Sequence, residues 1–133
     1  MLSILYISSM YKEYSKSQLE DLLSVFTENN KKHNITGLML YYDRNIIQYI
    51  EGEDKDINTL YYNINNDKRH KYIIKLFKQS ITKRKFPDWK LGYHTCDKYE
   101  FISFYDQCLN GVDEKVIINL FESFIKVNIR YHY

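Results

Sequence analysis

The chain has 133 residues, a formal net charge of +2 and 44% hydrophobic residues, which fits one globular domain with a substantial core. No run of about 18 apolar residues occurs, so no membrane-spanning helix is expected, and the segment that begins at Met1 lacks the basic region and cleavage site of a secretory signal. Cys96 and Cys108 have no CxxC spacing, which favours free thiols in a reducing, cytoplasmic compartment.

The N-terminal part of the chain predicts a strand followed by a helix. Between Leu2 and Ile7, apolar residues occur on both faces of the predicted strand, so both faces are expected to be covered. Ser17 and Glu20 have the spacing of a capping box, and apolar residues repeat behind them every three or four positions. This pattern predicts a helix over about residues 17–31.

The middle of the chain predicts a hairpin and a second helix. Two strand-like segments, 36–42 and 46–51, are separated by the turn-forming residues Asp43-Arg44-Asn45. Behind Asp54, which we interpret as a helix cap, apolar residues return at helical spacing. These residues are Ile57, Leu60, Tyr61 and Ile64.

The rest of the chain predicts two strands, 72–81 and 89–93, with a turn at Pro87, and then a helical tail from about Cys96. The order β-α-β-β-α-β-β favours an α+β, ferredoxin-like fold, in which both helices cover one face of a mainly antiparallel sheet. We expect the tail to cover the other face, which divides the chain into a domain over 1–95 and a packed helical extension over 96–133. The tail's apolar stripe lies behind Asp113 and consists of Val116, Ile117, Leu120, Phe121 and Phe124.

Three polar side chains need partners in this arrangement. Tyr6 and Gln48 lie on strand faces that can look toward the two helices, and Asn30 lies near the end of the first helix. An unpaired buried polar group costs ~1–3 kcal/mol, so one flat ring that hydrogen-bonds all three would stabilise them. Leu22 and Ile64 are the apolar helix positions that would flank such a ring.

Six stretches of the chain resemble, in order and spacing, the BLUF family of blue-light photoreceptors, from about Leu2 to His94. The resemblance implies a bound FAD and a short, stand-alone photoreceptor. The stretches are Leu5-Tyr6-Ile7-Ser8, Asn29-Asn30, Ile35-Thr36-Gly37, Gln48-Tyr49-Ile50-Glu51-Gly52, Asp67-Lys68-Arg69-His70 and Lys83-Arg84-Lys85-Phe86-Pro87-Asp88-Trp89.

The resemblance also implies a role for each matching residue. Tyr6 would donate an electron to the excited flavin, and Gln48 would relay the proton and change its hydrogen bonds by rotation or tautomerisation. Asn30 would hold the flavin carbonyl edge. Asn29 and Asp67 match positions around the ring and its ribityl chain. Trp89 matches a tryptophan that many members of the family have in the fifth strand.

The chain departs from the family pattern at three positions. Leu91 stands where the family usually has a methionine that passes the change at Gln48 to the strand, and leucine lacks the polarisable sulfur. Asn63 stands where a basic residue that would meet the flavin phosphate is common, and Ile46 replaces a frequent aromatic residue. The leucine at position 91 therefore affects the expected signal output more than the expected flavin binding.

Two functional hypotheses follow. The first is a blue-light photoreceptor without enzyme activity of its own, whose output is a changed contact with a protein effector or within a homo-oligomer. The second is a BLUF-like adaptor that has lost its flavin and its photochemistry. The flavin species, FAD or FMN, stays open.

Other kinds of site have less support in the sequence. Nine Lys and Arg residues lie between Lys68 and Lys90, but we attribute them to a solvated strand face and expect no nucleic-acid partner. No metal site is expected, because the four histidines and two cysteines lack ligand spacing.

Overall fold

The structure, a computed structural model, describes residues 1–88, 90–110, 115, 119 and 130–132, and at 94 and 130–132 the backbone only. A further strand follows the predicted series at its C-terminal end. The elements are β1 (Leu2–Met10), α1 (Lys16–Lys32), β2 (Thr36–Tyr42), β3 (Asn45–Gly52), α2 (Asp54–Asn65), β4 (His70–Ser80), β5 (Leu91–Thr95), α3 (Lys98–Leu109) and β6 (Arg130–His132).

These strands form one six-stranded sheet in the order β4-β1-β3-β2-β5-β6. All neighbouring pairs are antiparallel except β2 and β5, which run parallel. The predicted α+β, ferredoxin-like fold is confirmed. The tail departs from the prediction at β6, since a segment expected to be helical pairs with β5 and covers the backbone edge that β5 would otherwise expose.

The two helices α1 and α2 cover one face of the sheet, as predicted. Leu19 and Leu23 of α1 pack over β2 and β5, while Ile57 and Ile64 of α2 pack over β1 and β3. The opposite face is covered by α3, whose inward residues are Phe101, Phe104 and Cys108. The predicted stripe behind Asp113, from Val116 to Phe124, lies outside the described residues, as does Trp89.

Several element boundaries differ from the predictions by one or two residues. The capping box of α1 is Ser15 with Gln18, rather than Ser17 with Glu20. The N-cap of α2 is Glu53, so Asp54 is the first helical residue rather than the cap. At α1 the side chains of Ser15 and Gln18 make the cap bonds, whereas at α2 Glu53 makes no side-chain cap bond.

The hairpin between β2 and β3 fixes the register of the sheet beneath the helices. Asp43 and Arg44 have φ values of 42° and 69°, which is the two-residue turn geometry that suits antiparallel strands. Tyr42 therefore faces Asn45, and the same register sets Met39 opposite Gln48. Among the helices of the described residues, none is both long enough and apolar enough to cross a membrane.

Candidate functional site

A cavity of about 240 Å³ lies between α1, α2 and the sheet. Its floor comes from β1, β2 and β3, because alternation along these strands turns every second side chain toward the helices. The remaining walls come from α1, α2 and the segment that leads into β4. The lining residues are Tyr6, Val25, Phe26, Asn29, Asn30, Met39, Ile46, Gln48, Leu60, Asn63, Ile64, Asp67, Arg69 and His70.

Tyr6 and Gln48 form a hydrogen-bonded pair on the cavity floor. They are direct partners in the β1–β3 register, and the Tyr6 hydroxyl donates to Gln48 Oε1. Only 1% of Tyr6 and 9% of Gln48 is exposed. Burial, with smaller contributions from Tyr61 and Asp67, raises the pKa of Tyr6 well above its usual value. The phenol therefore stays protonated and acts as a hydrogen-bond donor.

The Tyr6–Gln48 bond determines which polar atom of Gln48 remains for a ligand. With Oε1 occupied as an acceptor, the amide presents its Nε2 hydrogens as donors. The ring of Tyr6 is itself held edge-on by Tyr61, with centroids 5.8 Å apart. Packing against Tyr61 thus fixes the position of the Tyr6 ring, and the hydrogen bond from Tyr6 fixes the orientation of the Gln48 amide.

Asn30 supplies a second amide, from the last turns of α1. Its side chain is buried, and Nδ2 donates to the Lys90 carbonyl oxygen over 2.7 Å. A primary amide carries two N–H hydrogens, so one remains available on this wall of the cavity. Asn29, the preceding residue, also lines the cavity.

The third polar edge lies between α2 and β4. Asp67 accepts hydrogen bonds from the Arg69 side chain at 2.6 to 3.1 Å, which lowers the pKa of the carboxyl group. The Arg69 guanidinium lies 5.4 Å from the ring centre of Phe26. Nδ1 of His70 lies 3.1 Å from Ser8 Oγ, and burial lowers the pKa of this imidazole. This edge therefore combines a neutral histidine with a compensated charge pair.

Six of the nine site residues predicted from the sequence line the cavity together. They are Tyr6, Asn29, Asn30, Gln48, Ile64 and Asp67. Leu22 and Leu91 instead pack in the cluster between α1 and β5, where Leu91 is completely buried. The same cluster contains the cavity-lining residues Met39, Ile46 and Phe26, so ligand contact by the two leucines stays a prediction, and Trp89 lies outside the described residues.

Several lining residues were absent from the predicted site, although the sequence carried a signal for some of them. Phe26 lies one helical turn after Leu22, and Leu60 lies one turn before Ile64, so both follow from helical periodicity. Met39 follows from the hairpin register, which places it opposite Gln48. Arg69 and His70 belong to one of the six stretches that resemble the family, but periodicity did not place them at the site, because a loop and an irregular pairing of β1 with β4 bring them to the cavity.

The chemistry of the cavity suits a flat aromatic ring with polar edges. Apolar side chains from both helices face the space, while the amides of Asn30 and Gln48 offer N–H donors that carbonyl and ring-nitrogen acceptors require. The volume is below the roughly 300–1,000 Å³ of whole-ligand pockets, so it suits a ring whose substituents extend outward. Among the described residues, no group of three His, Cys, Asp or Glu side chains is arranged to hold a metal ion.

Comparison with known proteins gives a family match. Residues 1–92 match the model of the family described as sensors of blue light using FAD. The chain is also 31% identical over 84 residues to the photoactivated adenylate cyclase subunit alpha of Euglena gracilis. That alignment covers 63% of this chain but 8% of the subunit.

Solved structures share the fold. A bacterial light-regulated adenylyl cyclase superposes with a TM-score of 0.69 and 27% identity, covering 89% of this chain and 38% of the cyclase. The dark state of BlrB, a BLUF protein, superposes with a TM-score of 0.71 and 24% identity, covering 89% of both chains. The chain thus spans less than half of either cyclase and most of the smaller protein.

Proposed function

Since the chain belongs to the BLUF family, the sensors of blue light using FAD, we propose that it is a photoreceptor whose light-driven switch is the pair Tyr6 and Gln48. The observation that carries this proposal is the hydrogen bond between the Tyr6 hydroxyl and Gln48 Oε1 on the cavity floor. A buried phenol is a suitable source of one electron and one proton when it is hydrogen-bonded to an amide that can rotate or tautomerise.

The residues around the cavity divide the work of holding the cofactor. A bound flavin supplies the absorption of blue light and an excited ring that can accept an electron. Asn30 and Gln48 would orient the ring through their N–H donors, and the helix residues Ile64 and Leu60 would exclude water from its faces. Asn29 and Asp67 line the cavity, and in this proposal they meet the edge of the ring and its ribityl chain.

In this proposal the Gln48 side chain has two hydrogen-bond arrangements. Its Oε1 accepts from Tyr6, and in the dark its Nε2 would donate toward a bound ring. Rotation by about half a turn, or tautomerisation, would change which donor or acceptor Gln48 presents to Tyr6 and to the ring, and so would change its hydrogen bonds to both. Loss of one electron and the phenolic proton from Tyr6, both passing to the excited ring with Gln48 as the proton relay, would remove the bond that holds the first arrangement. Return of the electron and the proton to Tyr6 would allow that arrangement to form again in the dark.

We further propose that the output is a changed contact with a protein effector or with a second copy of the chain. The cyclase relatives match over a small part of their length, so their catalytic activity is not carried over, and we propose no enzyme activity here. A non-photoactive adaptor remains the second hypothesis, because Leu91 has no sulfur with which to sense Gln48.

Spectroscopy of purified protein tests the proposal. We expect a yellow protein with a flavin spectrum, whose absorption band shifts to longer wavelength under blue light and returns in the dark. A flavin-loaded protein without a reversible shift would leave the adaptor hypothesis in the lead. A protein that takes up no flavin when incubated with FAD or FMN would contradict the proposed cofactor as well.

A further inference from the structure

Glu51 is a carboxylate buried on the sheet face that points away from the cavity. It lies on β3 with no exposed surface, and it shares the face of Tyr49 rather than that of Gln48. Each of the four contacts that described residues make with its side chain comes from a hydrogen-bond donor. The donors are Lys85 N at 2.8 Å, Phe86 N at 2.6 Å, Tyr49 OH at 3.1 Å and Thr36 Oγ1 at 3.3 Å.

These contacts fasten the loop between β4 and β5 to the sheet. A buried carboxylate is tolerated only when donors replace its lost hydration, and two of the donors here are consecutive backbone N–H groups of that loop. Arg84 adds side-chain bonds to the Glu51 carbonyl oxygen at 3.1 Å and to the Asn34 carbonyl oxygen at 2.6 Å. Three successive loop residues are therefore anchored to the hairpin region.

The other end of the same loop reaches the cavity. Lys90, the last residue before β5, accepts the hydrogen bond from Asn30 Nδ2 at 2.7 Å. Asn30 lines the cavity and has no other side-chain bond among the described residues. The orientation of this amide thus depends on where the loop holds the Lys90 carbonyl.

We propose that Glu51 is a positioning residue for the cavity-facing amide of Asn30, acting through the loop that connects Phe86 with Lys90. The Glu51 carboxylate fixes the position of the start of the loop, and the loop in turn fixes the position of the Lys90 carbonyl. That carbonyl holds one Asn30 N–H, so the second N–H points toward the ligand. This inference rests on the proposed flavin site. It differs from a purely stabilising role, in which loss of Glu51 would lower stability without disturbing Asn30.

A double-mutant cycle on flavin affinity separates these two roles. Glu51→Gln keeps the size of the side chain but sets an NH₂ group against backbone N–H donors. We expect it to weaken flavin binding about tenfold, the effect of losing one hydrogen bond. Asn30→Ala should weaken binding by a similar factor, and the double variant by little more than either, because both changes remove the same contact. A double variant weakened about a hundredfold would overturn the inference.

Tyr49→Phe is the matched control for this cycle. It removes one hydrogen bond from the same carboxylate but leaves both loop N–H contacts in place, so flavin affinity should stay within about twofold of wild type. An equal loss of affinity in Tyr49→Phe and Glu51→Gln would mean that general loosening of the buried network is responsible, which would contradict the positioning role.

A second measurement needs no flavin. In ¹⁵N spectra of the flavin-free protein, the side-chain amide of Asn30 should exchange slowly in wild type and faster in Glu51→Gln and in the shorter, charge-conserving Glu51→Asp. Unchanged exchange in a folded variant would overturn the inference.

The wild-type protein alone also gives a decisive result if both variants fail to fold. The Asn30 side-chain hydrogen that is bonded to the Lys90 carbonyl and the backbone amides of Lys85 and Phe86 should then share one level of protection, because a loop held at both ends opens as a unit. An Asn30 amide far less protected than Phe86 would contradict the inference. Failure of wild type to bind flavin would remove the proposed function, whereas these exchange measurements would still decide the role of Glu51.

Discussion

Tyr6→Phe is the sharpest test of the proposed switch. The substitution deletes one hydroxyl and leaves the ring, so the edge-on contact with Tyr61 at a centroid distance of 5.8 Å should persist. The bond to Gln48 Oε1 is lost, together with the phenolic proton. We expect flavin to remain bound and the reversible light-induced shift to disappear.

The effect on stability follows from burial. Because 1% of Tyr6 and 9% of Gln48 is exposed, water cannot readily replace the lost donor. An unsatisfied buried acceptor costs about 1–3 kcal/mol, and rotation of the Gln48 amide can recover part of this cost. We therefore expect the free energy of unfolding to fall by about 1–2 kcal/mol and Tm to fall by several degrees.

Two tyrosines provide matched controls for the same one-atom deletion. Tyr61→Phe removes a hydroxyl beside the switch but outside it, so the photocycle should survive. Tyr41 is buried, and its hydroxyl has no hydrogen-bond partner among the described residues. Tyr41→Phe should therefore leave the free energy of unfolding unchanged or raise it by up to about 1 kcal/mol.

The measurements are absorption spectra before, during and after blue illumination, flavin content per chain, and urea unfolding of the three variants. A normal, reversible shift in Tyr6→Phe would refute the assignment of Tyr6 as the electron and proton source. Loss of the photocycle in Tyr61→Phe as well would show that packing around the ring, rather than the Tyr6 hydroxyl, controls the response.

Four further outcomes are expected. Gln48→Leu should keep the fold and much of the flavin but lose the light-induced shift, because leucine cannot form the new hydrogen bond; a normal shift in absorption spectra would exclude the assigned role. Asn30→Ala should retain less flavin after desalting, at a cost of ~1–3 kcal/mol in binding free energy, and unchanged retention would remove Asn30 from the site. Leu91→Met should cost less than ~1.5 kcal/mol in stability and change dark recovery without changing flavin content; identical recovery kinetics would contradict a tuning role. Cys96 and Cys108 should resist a thiol reagent at pH 8 in the folded protein, because burial raises both pKa values to about 12 and suppresses the thiolate; rapid labelling without unfolding would contradict this.

Periodicity in the sequence was sufficient to predict the order of elements from β1 to β5 and which side chains share a strand face. Strand alternation set Gln48 on one face with Ile46 and Ile50, and Tyr6 on one face with Ile4. Both faces of these strands carry apolar residues, so only the structure decided that this face is the one the helices cover. Resemblance to the family then added the cofactor and the roles of these residues. The predicted helix caps were wrong by one or two residues, because several polar residues lie near each helix start and helical spacing alone does not choose among them.

Only the tertiary structure decided which residues meet across long stretches of chain. The bond from Asn30 to Lys90 joins positions 60 residues apart, and the contact of Ser8 with His70 joins positions 62 apart. The same holds for the anchoring of Phe86 by Glu51, 35 residues away. Strand alternation and helical spacing predict which face of a strand or helix is buried. These contacts depend instead on where a loop lies on the folded sheet. Glu51 can hold the loop between β4 and β5 in place only after the sheet has formed. No local pattern in the sequence therefore predicts the position of this loop.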